Sequence, residues 1–432
     1  MGFNHVLATE VYLSEMNGGE AQWANELNFT QFPYLSSVST FSASSPITDS
    51  AAAGTAMATG EKTNSGAIGV DANGNSISNI SQWAKESGWK VGVATTVAVN
   101  HATPATFYAH TDSRKNYYEI SKQGAESKLD FLAGSGFIDR YGKDKKSDDI
   151  HKYFEDCGFT IIKGLSEEGY DSDRVLLIQE DDAVNPTAIP AAIDRKEGAL
   201  TLSHIVRKGI DFLSKNRKDK FLFVVESGMI DWFGHANDGA AAIHEVYDYA
   251  NSIEVALNFY KQHPDETLII VTADHETGGL ALGNSDYSLN ISELSNQSLS
   301  ISTSTAKIRT FLKNKNYDVS WTELFSFLNT NFSFGDKIEL TEDEMSRLKK
   351  AYEDEIVNKG AKAVNTLYTR VNPIVGVATD IINTRSHIGW TTNNHTAARV
   401  PLYAIGAGAE MFKNNIDNTD IPKILSSVSN IK

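Results

Sequence analysis

Short apolar runs punctuate the chain at residues 90–99, 175–178, 221–225, 267–271 and 400–405, each bounded by polar residues or glycine. Runs of this kind suit strands buried on both faces of a sheet. Between them the apolar positions recur at helical spacing, over residues 6–13, 77–87, 117–132, 199–213 and 240–260. Residues 50–60 are a run of small helix formers opened by Ser50 and closed by Gly60. Strands alternating with helices predict an α/β fold, with a mostly parallel central sheet flanked by helices on both faces. Residues 1–49 read as a helix, a loop and a Ser/Thr-rich approach, and residues 142–149 as a surface loop. Residues 283–388 break the alternation. They begin as a Ser/Asn-rich stretch (284–305), read as polar loop, and become amphipathic and charged over 340–357. The expectation is a single domain, 1–432, carrying 283–388 as an inserted lid or crown.

Composition narrows the function. The formal charge of −16 argues against a nucleic-acid surface, which needs Lys and Arg. No run approaches the 18 or so apolar residues of a membrane span. A single cysteine, Cys157, excludes an internal disulfide and a thiolate metal site. A metal here would use His, Asp, Glu or hydroxyl ligands, which favours zinc, magnesium or manganese. Met1-Gly2-Phe3-Asn4-His5 has neither the basic segment nor the apolar core of a secretory signal.

The candidate chemistry clusters after the strands, where ligands gather in parallel sheets. Ser50 follows Asp49 at the start of the small-residue helix, where free N–H groups and the helix dipole suit a phosphate. Glu226 ends one apolar run, and Asp231 and His235 follow at a spacing of four, on one face of a helical turn. Asp274-His275 ends another run and precedes Gly278-Gly279, which permit a tight turn. His395 precedes the last run and could complete a site with Asp231 and His235. His101 and Thr103 follow the 90–99 run, and Arg114 offers a bidentate grip on phosphate. A serine, two His/carboxylate clusters, a Thr/Glu pair and an arginine together suit metal-assisted phosphoryl transfer.

In these stretches the chain resembles the alkaline phosphatases, nearest the cold-active and marine bacterial branch. The matching segments are Phe32-Pro33-Tyr34, Asp49-Ser50-Ala51-Ala52, Thr59-Gly60-Glu61-Lys62-Thr63, His101-Ala102-Thr103-Pro104-Ala105, residues 226–238, residues 272–279, and His395-Thr396. The resemblance implies Ser50 as a nucleophile that becomes phosphoserine, and Arg114 as the phosphate clamp. It implies one zinc on Asp231, His235 and His395, a second on Asp274 and His275, and magnesium on Glu226 and Thr103. His101, Trp232 and Asp49 are implied as supporting positions beside them. The substrates implied are phosphate monoesters, the assembly a homodimer, and the location periplasmic or secreted.

One departure carries an expectation of its own. The family begins with a strand ending in Gly-Asp-Gly-Met-Gly, and Met1-Gly2 matches only its last two residues. The second zinc site and the magnesium site are therefore each expected to lack one ligand, and the given sequence to be truncated, with impaired activity. Two alternatives stay open: a weakly active or inactive paralogue that binds zinc or phosphate, and a related phosphodiesterase or sulfatase.

Overall fold

The computed structural model describes the chain except residues 19–25, 183–184, 217, 286, 359–362 and 432. Its strands in chain order are β1 (Tyr34–Ser39), β2 (Lys90–Thr95), β3 (Phe131–Gly134), β4 (Thr160–Lys163), β5 (Val175–Ile178), β6 (Phe221–Glu226), β7 (Leu268–Val271), β8 (Glu276–Thr277), β9 (Leu280–Leu282), β10 (Val364–Asn365), β11 (Arg370–Val371), β12 (Ile388–Trp390), β13 (His395–Thr396), β14 (Val400–Gly406) and β15 (Asn415–Asp417). The parallel sheet has the order β4-β5-β3-β2-β6, every pairing in it being parallel. Helices pack on both its faces, so the α/β architecture expected from the alternation is the one observed. A second, mixed sheet runs β15-β1-β14-β7, with β14 antiparallel to both β1 and β7.

Strands β3 and β5 are buried throughout, as parallel strands covered on both faces should be. Strands β6 and β7 are equally apolar but are edge strands, and they are half-buried along most of their length. Their carboxyl ends lead to the residues that carry the chemistry.

Three readings need correction. Residues 117–132 are not one helix: the helix Tyr117–Glu126 stops at Ser127, and β3 begins at Phe131. The approach segment holds strand β1, in which Ser36 and Val38 are buried on one side while Ser37 and Ser39 are half-buried on the other. The Ser/Asn-rich stretch is not all loop, because Ser300 caps the helix Ile301–Asn314 by accepting from Thr303 N–H. Its buried face is Ile301, Ser304, Thr305, Ile308 and Leu312, a helical stripe in which two of five residues carry hydroxyls.

Beyond β9 the chain forms the helices Ile301–Asn314, Trp321–Phe332, Glu342–Tyr352 and Pro373–Arg385. Their apolar faces share one cluster with Ala8 and Val11 of the helix Phe3–Met16 and with Ala240 and Ile243 of the helix Gly239–Gln262. Among the described residues no helix is long and apolar enough to cross a membrane.

Candidate active site and metal centre

The helix Ser50–Thr59 starts where the sequence places it. The Asp49 carboxylate caps it, accepting from the N–H groups of Ala51 and Ala52, and Gly60 ends it with φ of 77°. Its small residues allow a close approach: a Cβ on Gly54 would lie 2.8 Å from Thr106 Oγ1. Ser50 is buried, and its Oγ lies 2.9 Å from His275 Nε2.

Asp49 also holds Arg114. Arg114 Nη1 donates to Asp49 Oδ2 at 3.0 Å, and Asp49 Oδ1 accepts from Gly66 N–H at 2.9 Å. Burial pushes the Asp49 carboxyl up, but Arg114 and the backbone donors outweigh it and hold the group below its ordinary range. The other side of the guanidinium donates from Nη2 to the Tyr368 hydroxyl at 3.3 Å.

Asp231 and His235 lie on the helix Met229–Ala236, just past the end of β6. His395 is brought to them by a two-residue ladder in which β13 pairs β8, His395 opposite Thr277. Gly278 and Gly279, with φ of 88° and 60°, make the turn after β8 that this ladder requires. Each imidazole is oriented from behind. His235 Nδ1 donates to the Asn393 carbonyl at 2.6 Å, and His395 Nδ1 donates to the Thr48 carbonyl at 2.8 Å. That assigns both Nε2 atoms as lone-pair carriers, yet they lie 3.1 Å apart. Asp231 Oδ1 is 3.3 Å from the first and 3.4 Å from the second.

Two imidazole nitrogens and a carboxylate so placed suit a cation among them. Around a tetrahedral zinc with bonds of about 2.0–2.1 Å, ligand atoms sit roughly 3.3 Å from one another. The spacing of Asp231, His235 and His395 matches that value. Backbone carbonyls behind metal-binding imidazoles are the usual means of fixing the tautomer. The donor set therefore fits a divalent ion with one position left open. Thr277 Oγ1 adds a hydrogen bond to Asp231 Oδ1 at 2.5 Å.

A second group adjoins the first. His275 Nε2 is 3.2 Å from Asp274 Oδ2, and the His275 ring stacks on His395 with centroids 3.5 Å apart. Asp231, His275 and His395 each present a ligand atom within 4.8 Å of the others. Thr103 Oγ1 donates to Asp274 Oδ2 at 3.5 Å. Glu226 accepts from Thr95 at the end of β2, and burial with the nearby Asp274 carboxylate pushes its carboxyl up to about 7 despite that bond. His101 is buried, and desolvation together with Arg114 pulls its pKa down to about 3, so it is neutral. Among the described residues its Nδ1 and the Nε1 of Trp232 have no hydrogen-bond partner. Their rings pack edge to face at 5.9 Å.

Every residue singled out from the sequence thus lies in this one region. The sequence reading missed three others. Thr277 stands inside a quoted stretch, and Thr95 lies inside the apolar run 90–99, so both were within reach. Tyr368 comes from the 283–388 segment, and no motif marks it.

Comparisons with known proteins point to one family. A family model described as alkaline phosphatase matches residues 1–133 and 183–431. Alkaline phosphatase 4 of Bacillus subtilis is 32% identical over 389 residues, covering 88% of this chain and 76% of its own length. The cold-active alkaline phosphatase from a Shewanella species superposes with a TM-score of 0.81 at 32% identity, covering 99% of this chain and 96% of that one. The alkaline phosphatase of the Antarctic bacterium TAB5 superposes with a TM-score of 0.68 at 25% identity, covering 100% and 96%.

Proposed function

The chain belongs to the alkaline phosphatase family, a family of phosphoric monoester hydrolases, and on that premise we propose that it cleaves phosphate monoesters through a phosphoserine at Ser50. Ser50 Oγ attacks phosphorus, and the bond from phosphorus to the ester oxygen breaks, releasing the alcohol. Water then attacks the phosphoserine, freeing inorganic phosphate and restoring the serine hydroxyl. Arg114 grips the non-bridging oxygens in bidentate fashion, and the start of the Ser50–Thr59 helix adds its positive end. The observation that carries the reading is the 3.1–3.4 Å triangle of Asp231, His235 and His395, set beside the buried Ser50 and the tethered Arg114.

Asp231, His235 and His395 would hold one zinc, Asp274 and His275 with Ser50 a second, and Glu226 with Thr103 a magnesium. Bound there, divalent ions supply charge neutralisation and a lowered pKa for an attacking oxygen. By the same reading the enzyme is a homodimer acting in the periplasm or outside the cell.

The test is hydrolysis of p-nitrophenyl phosphate at pH ~8–10, with zinc and magnesium added, for the wild type beside Ser50→Ala. Hydrolysis abolished by the substitution supports the reading. Faster cleavage of bis-p-nitrophenyl phosphate would point to a diesterase instead. Phosphate binding without turnover would point to the inactive paralogue.

A further inference from the structure

Tyr368 sits in the turn between β10 and β11, within the segment that interrupts the α/β alternation. The turn is closed by Thr366, whose N–H donates to the Thr369 carbonyl at 2.9 Å, while Thr369 N–H donates back to Thr366 Oγ1 at 3.0 Å. Three contacts fasten the β10–β11 hairpin to the helix Ile301–Asn314. Ser302 and Thr369 hydroxyls meet at 3.1 Å, Arg309 donates to the Arg370 carbonyl, and Thr305 Oγ1 accepts from Asn372 N–H at 3.2 Å.

This anchored turn delivers one aromatic side chain into the site. The Tyr368 ring stacks on Trp232, with centroids 4.6 Å apart and an angle of 18° between planes. It also meets His101 at 5.6 Å and His235 at 5.5 Å. So fixed, its hydroxyl accepts from Arg114 Nη2, while Asp49 holds Nη1.

We propose that Tyr368 is a positioning residue for phosphate recognition, through which the inserted segment sets the angle of the Arg114 fork. The inference rests on the reading that Arg114 binds the phosphate. A guanidinium tethered at both ends meets two phosphate oxygens without first losing side-chain freedom. With the Tyr368 hydroxyl gone, Arg114 pivots about Asp49 alone. The loss falls on ground state and transition state alike, so it raises KM and the inhibition constant of phosphate more than it lowers kcat.

The experiment compares wild type, Tyr368→Phe and Tyr368→Ala, each loaded with zinc and magnesium. Tyr368→Phe keeps the ring stack and removes only the hydroxyl. Inorganic phosphate binding is measured by calorimetry, and kcat and KM with p-nitrophenyl phosphate. The expected result for Tyr368→Phe is phosphate affinity about 3–10-fold weaker, KM raised to match, kcat within about two-fold, and an unchanged melting temperature. Tyr368→Ala loses the stack as well and falls further in affinity. A Phe variant that binds phosphate as the wild type does overturns the role of Tyr368 while leaving the phosphatase reading intact. A wild type that binds phosphate without turnover overturns the phosphatase reading, and calorimetry still decides Tyr368. A wild type that binds no phosphate overturns both.

Discussion

Replacing Asp49 separates two tasks that one carboxylate performs. It caps the serine helix through Ala51 N–H at 3.4 Å and Ala52 N–H at 3.2 Å, and it binds Gly66 N–H at 2.9 Å and Arg114 at 3.0 Å. Asp49→Asn can keep an oxygen toward Ala52 and Gly66. Its amide nitrogen then replaces the oxygen that faced Arg114, so a donor faces a donor. The side chains of Arg114 and Asp49 are only 16% and 23% exposed, so solvent screens their bond weakly. A hydrogen bond to a charged group is worth about 1.5–3 kcal/mol, and Asn forfeits most of it. Asp49→Ala also removes the cap, about 1 kcal/mol, and leaves Gly66 N–H unpaired, about 1 kcal/mol more. Unfolding in urea should therefore rank wild type above Asn and Asn above Ala, with Ala lower by roughly 3.5–5 kcal/mol in all. Inhibition by inorganic phosphate should weaken about 3–10-fold in both variants, because ordering a freed Arg114 costs about 0.5–1.5 kcal/mol. Wild-type phosphate inhibition in the Asn variant would refute the claim that Asp49 aims Arg114. Equal stability of Asn and Ala would refute the cap.

Other expected outcomes concern stability. Burial pushes the Glu245 carboxyl up to about 8, Asp248 and Asp194 adding to it against the Ala192 N–H and Arg195. Folded protein then holds a proton that the unfolded chain releases near the ordinary glutamate value of 4.5. This contribution to stability is full below that pH and is lost as pH rises through about 8. Glu245→Gln should flatten the decline, gaining on the order of 5 kcal/mol at pH 9 relative to pH 4, and a parallel decline in both proteins would contradict it. A Cβ on Gly209 would lie 2.4 Å from Phe223 Cζ, whose ring is wedged against Phe131. Gly209→Ala should lower stability by about 1–2 kcal/mol, the overpacking outweighing the gain in helix propensity, and a stabilised variant would show that the helix shifts freely. Chelation should lower the melting temperature and zinc should restore it, by about 3 °C at a hundredfold excess over the dissociation constant. His395→Ala should abolish that zinc response, and a response equal to wild type would place the ion elsewhere.

Much of the fold was legible because several strands are near-continuous apolar runs, β6 and β7 even at half-buried sheet edges. The runs that became β5, β6, β7 and β14 contain almost nothing but apolar residues. Strand β1 was hidden because its sequence, Tyr-Leu-Ser-Ser-Val-Ser, buries a serine at Ser36 beside Val38. Strand β3 was hidden by position: Phe131 continues the apolar spacing of the preceding helix, and only Ser127 marks the break. The helix Ile301–Asn314 was hidden by composition, since Ser304 and Thr305 take buried places that usually go to aliphatics.

The site was legible for a different reason. Its polar residues cluster in short segments after strands, so Asp231 with His235, and Asp274 with His275, could be paired by spacing alone. What spacing could not give was the meeting of distant segments. The Thr48 carbonyl orients His395 across 347 positions of sequence, and Tyr368 reaches Arg114 across 254. Contacts of that kind leave no local periodicity.

The most direct test of the central claim is to quench the zinc- and magnesium-loaded enzyme with acid during turnover of p-nitrophenyl phosphate and look for phosphate on the Ser50 peptide by mass spectrometry. The account predicts a phosphorylated Ser50 peptide in the wild type, and neither label nor turnover in Ser50→Ala. Turnover without phosphate on Ser50, or a Ser50→Ala enzyme as active as the wild type, would contradict it.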